Sequence, residues 1–122
     1  MTQYTNLALL PLTVYGTPSG NYNGSSTTFV GNLIPAANYY AGQGVVQTIT
    51  YITDGFVGLV TIQATLQDNT PQSVWFDIGT YGNANATTTG TQANSIIGNF
   101  TYLRAQVTEF TAGNITSVTA SY

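Results

Sequence analysis

The sequence predicts an all-β fold: a single antiparallel β-sandwich of jelly-roll type, with about seven to eight strands and no long helix. Three observations predict it. Apolar residues recur at every second position along several runs, as they do in a strand with one buried face. Turn-forming dipeptides separate those runs at short intervals. No stripe with the 3.6-residue helical period persists for three turns. At 122 residues and 43% apolar composition, the chain has the material for one packed core. The expected organisation is one domain over 1–122, with 45–122 the recognisable sandwich and 1–44 less regular, including an N-terminal arm or loop.

In chain order, the first candidate strand is Leu10 to Tyr15, with Pro11 near its start, which suits an edge. Gly16 to Ser26 is rich in Gly, Ser, Asn and Tyr and reads as a surface loop or extended arm, with Pro18-Ser19-Gly20 and Asn23-Gly24 as turns. A short run follows at Thr27 to Val30, then a β-branched run from Val45 to Ile52. Asp54-Gly55 next reads as a tight hairpin, because the type I′ turn needs positive φ at both central residues. Val60, Ile62, Ala64 and Leu66 alternate with Thr61, Gln63 and Thr65. Asp68-Asn69 reads as a turn, and Val74, Phe76 and Ile78 alternate with Trp75 and Asp77. The segment 82–94, GNANATTTGTQAN, is poor in apolar residues and reads as an exposed loop. Leu103, Ala105 and Val107 form another alternating run, and Ala112-Gly113-Asn114 reads as a hairpin into Val118 and Ala120. The expected core is Val60, Ile62, Ala64, Leu66, Phe76, Ile78, Leu103, Ala105, Val107 and Val118.

Charge is the strongest deviation in the composition. Asp54, Asp68, Asp77, Arg104 and Glu109 are the only charged side chains, and Lys, His and Cys are absent. A typical domain devotes about a quarter of its residues to charge. The inventory lacks an imidazole base, a thiolate nucleophile, a Schiff-base lysine and a His/Cys zinc set. Two carboxylates suffice for glycoside hydrolysis, but nothing in the sequence sets Asp77 and Glu109 across a cleft. Asp54-Gly55 and Asp68-Asn69 read as turn residues bonding their own backbone rather than as calcium ligands. The expectation is a non-enzymatic protein without cofactor or metal. Arg104 alone cannot supply the several cations that nucleic acid or an anionic membrane demands, so neither is an expected partner.

What replaces charge is Thr, Asn, Gln, Ser and Tyr, a surface that stays wet without repelling a neighbouring copy. It predicts assembly, either as a homo-oligomer or on a larger particle. Nine tyrosines exceed what one core of this size needs. Exposed tyrosine gives rigid amphipathic contact area suited to interfaces and to sugar stacking. Tyr39 and Tyr40, beside Ala36-Ala37 and Gly42, are the expected contact pair. Trp75, Asp77 and Arg104, with Tyr102 nearby, are the expected structural cluster: the guanidinium stacks on the indole or pairs with Asp77.

The stretch Val60-Thr61-Ile62-Gln63-Ala64-Thr65-Leu66, then Pro71, Trp75-Phe76-Asp77-Ile78, Gly98-Asn99-Phe100, Tyr102-Leu103-Arg104-Ala105 and Gly113-Asn114-Ile115 into Ser121-Tyr122, resembles a module of tailed-phage virion structural proteins. It is most similar to those of marine and cyanobacterial phages. The resemblance spans 55–122 and implies a β-sandwich of the capsid decoration or tail and fibre type. The implied role is a capsid cement protein binding the major capsid protein within the virion, with a tail or fibre component as the alternative. The same half also resembles the end of jelly-roll carbohydrate-binding domains, which implies a glycan partner for host attachment instead.

Overall fold

The computed structural model describes residues 6–20, 22–35, 45–66, 74–98 and 100–121. Seven strands and no helix lie among them: β1 (Asn6–Leu10), β2 (Thr13–Val14), β3 (Phe29–Val30), β4 (Ile34–Pro35), β5 (Val45–Thr65), β6 (Phe76–Gly98) and β7 (Tyr102–Ser121). They form one antiparallel sheet that does not close, with order β1-β7-β5-β6 and with β2, β3 and β4 also paired to β7. The segment from β1 to β4 runs antiparallel to β7 in four short pieces, from Leu7 opposite Ala120 to Pro35 opposite Tyr102. Pro11 separates the first two pieces, so the predicted Leu10 to Tyr15 strand is split.

The long strands correct three expectations. Asp54-Gly55 is not a hairpin, Ala112-Gly113-Asn114 is not a hairpin, and 82–94 is not a loop: all three lie inside continuous strands of 20 or more residues. The physical reason is that positive-φ residues serve bulges as well as turns, and a bulge bends a strand without ending it. The ladder slips at Thr53/Phe56 and Phe56/Gly58 on the β6 side, and at Asp54/Val57 and Val57/Leu59 on the β7 side. Gly113, at φ 84°, and Gly82, at φ 106°, sit along that line. A Cβ on Gly113 would overlap the Gly55 carbonyl, and one on Gly82 the Gly58 carbonyl, so backbone crosses backbone there with no room for a side chain. Glu109 also adopts positive φ, at 53°, on this line. The strand reading of 82–94 was hidden because Thr, Asn and Gly occupy an outer strand with little apolar surface to bury.

The bend brings the inner faces of the sheet's two halves together. Tyr51 in the first half of β5 stacks on Tyr81 in the second-half register of β6. At the other side, the Gly31 amide donates to the Ala105 carbonyl at 2.7 Å. The next amide, that of Asn32, donates to the Leu9 carbonyl, also at 2.7 Å. These two bonds tie the Ala105 end of β7 to β1, which pairs with its Val118 to Ser121 end.

The core follows the alternation. Val60, Ile62, Ala64, Leu103, Ala105, Val107 and Val118 are buried as expected, and Ile78 packs partly against them. Leu66 and Phe76 are corrections, at 60% and 37% exposure. Leu66 lies one residue beyond the last paired position of β5, and Phe76 is the first residue of β6, where the ladder slips between Ile62 and Gln63. The bulge between Ala8 and Leu10 turns two consecutive residues, Leu9 and Leu10, into the core. An aromatic cluster fills the bend: Phe110 lies within 5.2 to 6.1 Å, centroid to centroid, of Tyr22, Phe29 and Phe56. Tyr22, in the expected 16–26 surface loop, is buried, and its hydroxyl accepts from the Gly16 amide at 2.9 Å. The Asn23 turn is present, with its Oδ1 accepting from the Ser25 and Ser26 amides.

Candidate functional site

Opposite the core, β5 presents Thr61 and Gln63 on the outer face of the sheet's second half. Gln63 lies directly across from Arg104 on β7 and from Asp77 on β6. The three side chains therefore form one row across three strands. Arg104 Nε donates to Gln63 Oε1 at 2.8 Å. Gln63 Nε2 donates in turn to Asp77 Oδ1 at 3.1 Å and to Gln106 Oε1 at 3.3 Å. The guanidinium carbon of Arg104 stands 4.3 Å from the centre of the Trp75 ring. Trp75 immediately precedes β6 and is half-buried, which fixes the indole beside the row.

The expected packing of Arg104 on Trp75 is present, but the expected pairing of Arg104 with Asp77 is not. Their strands flank β5 on opposite sides, and two interstrand steps of about 4.8 Å put the two residues out of reach of a short ion pair. Gln63 spans that gap, its amide presenting an acceptor to the cation and a donor to the carboxylate. Partial burial lowers the Arg104 pKa from its usual value through loss of hydration. The guanidinium nevertheless stays charged at any physiological pH.

Tyr102 lies two residues before Arg104, so strand alternation puts both on one face, and it pairs with Thr65 and Pro35. Tyr39 and Tyr40 lie outside the described residues. Gln63 and Gln106 were not singled out in the sequence as site residues. The alternation put Gln63 on the outer face; the register that sets it between the two charges depends on bulges far along the chain.

The outer face of the sheet's first half is different. Ala8, Thr119, Thr50 and Ala93 line up across four strands, and Ser121, Thr48 and Ser95 form the next row. Thr48 and Ser95 share a hydrogen bond at 3.1 Å. These two rows are small, largely hydroxylated and uncharged, and the row beyond them, Val46 opposite Ile97, is apolar and exposed.

One buried polar group stands apart. The Tyr51 hydroxyl is fully enclosed and has no hydrogen-bond partner among the described residues, whereas Tyr81 Oη and Thr53 Oγ1 are 2.9 Å apart and bonded. Burial raises the Tyr51 pKa; the Asn94 side chain opposes the shift without reaching hydrogen-bond geometry with the phenol. Among the described residues, no three His, Cys, Asp or Glu side chains come together.

Chemically, the Trp75 row offers an aromatic surface, a planar cation, planar amides and the Asp77 carboxylate, groups that recognise polar and hydroxylated surfaces. Comparison with known proteins gives no match, whether with family models, curated proteins or solved structures.

Proposed function

We propose that this protein is a non-enzymatic structural subunit of a tailed-phage virion, a cement or decoration protein that binds the major capsid protein and its own copies. The observation that carries this reading is the charge-free outer face of the sheet's first half, where Ala8, Thr119, Thr50 and Ala93 form a row continued by Ser121, Thr48 and Ser95. A subunit repeated over a lattice meets many copies of its own field. Small hydroxylated rows let such copies approach without like-charge repulsion, whereas free-standing proteins gain solubility from net charge. In this reading the two halves of the bent sheet serve as the layers of a jelly-roll-like sandwich, with the outer rows facing the particle. Arg104, held by Trp75 and Gln63, is then a structural clamp. The location follows: the protein assembles in the host cytoplasm and ends in the virion.

A tail or fibre component fits the same surface. The carbohydrate-binding alternative has its own supporting observation, the half-buried Trp75 beside Arg104, Gln63 and Asp77, a set suited to stacking on a sugar and bonding its hydroxyls. One experiment separates these readings. Purified protein is mixed with particles lacking it and, in parallel, applied to a glycan array. Attachment to particles with a blank array supports the cement reading. Saturable glycan binding that falls in Trp75→Ala and Tyr102→Ala, without particle attachment, replaces it with the carbohydrate reading.

A further inference from the structure

We propose that β6 pairs antiparallel with β6 of a second copy of this chain, across a two-fold axis through Asn94. The proposal deepens the assembly reading above and rests on it.

The two edges of the sheet are built differently. The outer side of β7 is covered by four pieces of two to five residues, broken by Pro11 and carrying Pro35, a protected edge. On the other side, β6 is 23 residues long and ends the strand order, with β5 as its one neighbour in the sheet among the described residues. It contains no Pro, Lys or Arg, and Asp77, its second residue, is its only charge. A strand at a sheet edge presents amides and carbonyls that only another backbone satisfies in register. Proline, charge and bulges, devices that normally keep a second strand away, are absent from its 90–98 stretch.

The ladder itself limits which part of β6 is available. Phe56 pairs with Thr88 and Gly58 with Asn83, so residues 84–87 bulge against a single residue of β5. From Gly90 to Gly98, by contrast, β6 pairs with Thr53 to Val45 residue for residue with no slip. That straight stretch reads Gly-Thr-Gln-Ala-Asn-Ser-Ile-Ile-Gly, carries no charge, and has Asn94 at its centre. A two-fold there sets Gly90 against Gly98, Gln92 against Ile96, Ala93 against Ser95, and Asn94 against its own copy. It also sets Thr91 against Ile97, the most exposed large apolar side chain among the described residues at 76%. β-branched residues facing one another across strands are favourable pairs, and no like charges meet. The Ala8, Thr119, Thr50, Ala93 row would run on through Ser95, Thr48 and Ser121 of the second copy. A self-complementary surface of this kind is what a closed two-fold interface requires.

Cysteine cross-linking tests the register, because the natural chain contains no Cys. Facing residues of an antiparallel pair have Cα atoms about 4.5 or 5.5 Å apart, and both spacings suit a disulfide. Asn94→Cys should oxidise to a covalent dimer at low micromolar protein, at least tenfold faster than the exposed-loop control Thr17→Cys. Thr91→Cys alone should behave like the control, and Thr91→Cys with Ile97→Cys should cross-link. Light scattering on the unmodified protein should show a dimer that Ala93→Lys with Ser95→Lys converts to monomer, with the strand circular dichroism signal retained. A dimer in which Asn94→Cys cross-links no faster than the control overturns the β6 pairing and leaves the assembly reading in place. A monomer that still attaches to particles lacking it has the same meaning. A monomer that attaches to nothing overturns both.

Discussion

Tyr51 and Tyr81 stack almost parallel, with ring centroids 4.6 Å apart and planes 7° from each other, yet only the Tyr81 hydroxyl is hydrogen-bonded. The pair joins the two halves of the bent sheet through ring contact, and the Tyr51 hydroxyl adds desolvation without a compensating bond. Removing an unpaired buried polar atom while keeping the ring should be neutral or stabilising. Tyr51→Phe is therefore expected to melt at or above the wild-type temperature at neutral pH. Tyr81→Phe, which deprives Thr53 of a partner, should cost about 1 kcal/mol.

The same hydroxyl sets a pH dependence. Burial raises the Tyr51 pKa in the folded state, while the unfolded chain titrates near the ordinary value of about 10. Between those values the unfolded chain holds fewer protons than the folded one, so stability falls as pH rises. The contribution is intact below pH ~10 and is lost progressively above it. Denaturant unfolding at successive alkaline pH values should show a steeper loss for wild type than for Tyr51→Phe. Parallel curves would mean that the phenol ionises as readily folded as unfolded.

At the bend, Gly113 and Gly55 make a matched test of close backbone approach. Both have positive φ, at 84° and 62°. A Cβ on Gly113 runs into the Gly55 carbonyl and the Phe56 nitrogen, whereas one on Gly55 meets nothing within 4 Å. Gly55→Ala should lose about 1–2 kcal/mol, the backbone cost alone. Gly113→Ala adds a collision that neither strand can relieve and should lose about 2–5 kcal/mol. Equal losses in chemical denaturation would show that the strands separate freely at the bend.

How much of this was legible in the sequence differs by level. The period-two alternation gave the buried faces of Val60 to Ala64 and Leu103 to Val107, because a half-buried strand writes its faces directly into the chain. Connectivity was not legible in the same way. Asp54-Gly55 and Gly113-Asn114 carry the residues of a tight turn, and only the partner strands decide whether such residues reverse the chain or bend it. The polar 82–94 segment pairs through its backbone on either side of the 84–87 bulge, so its side chains gave no apolar signal to read. At the site, the Arg104–Trp75 contact was foreseeable from residue type and rough position. Gln63 between Arg104 and Asp77 was not, because the strand order that inserts β5 between β7 and β6 is a property of the whole sheet.

That insertion determines what Arg104 contributes. Its guanidinium has two neighbours of different kinds, the Trp75 ring and the Gln63 amide oxygen. Arg104→Met keeps an apolar side chain against the indole and removes both the cation and the donor. A contact of this type between a half-buried cation and Trp is worth about 0.5–2 kcal/mol, so a loss of that size is expected in thermal or denaturant unfolding. A double-mutant cycle of Arg104→Met with Trp75→Ala isolates the pairwise part. Asp77→Asn should change little by comparison, because Gln63 rather than Arg104 touches the carboxylate and the residue is exposed. The ordering of these effects tests the geometry: Asp77→Asn costing as much as Arg104→Met would show that the two charges interact directly and that Gln63 is a bystander. A variant that folds with wild-type stability but no longer attaches to particles would instead assign Arg104 to the interface.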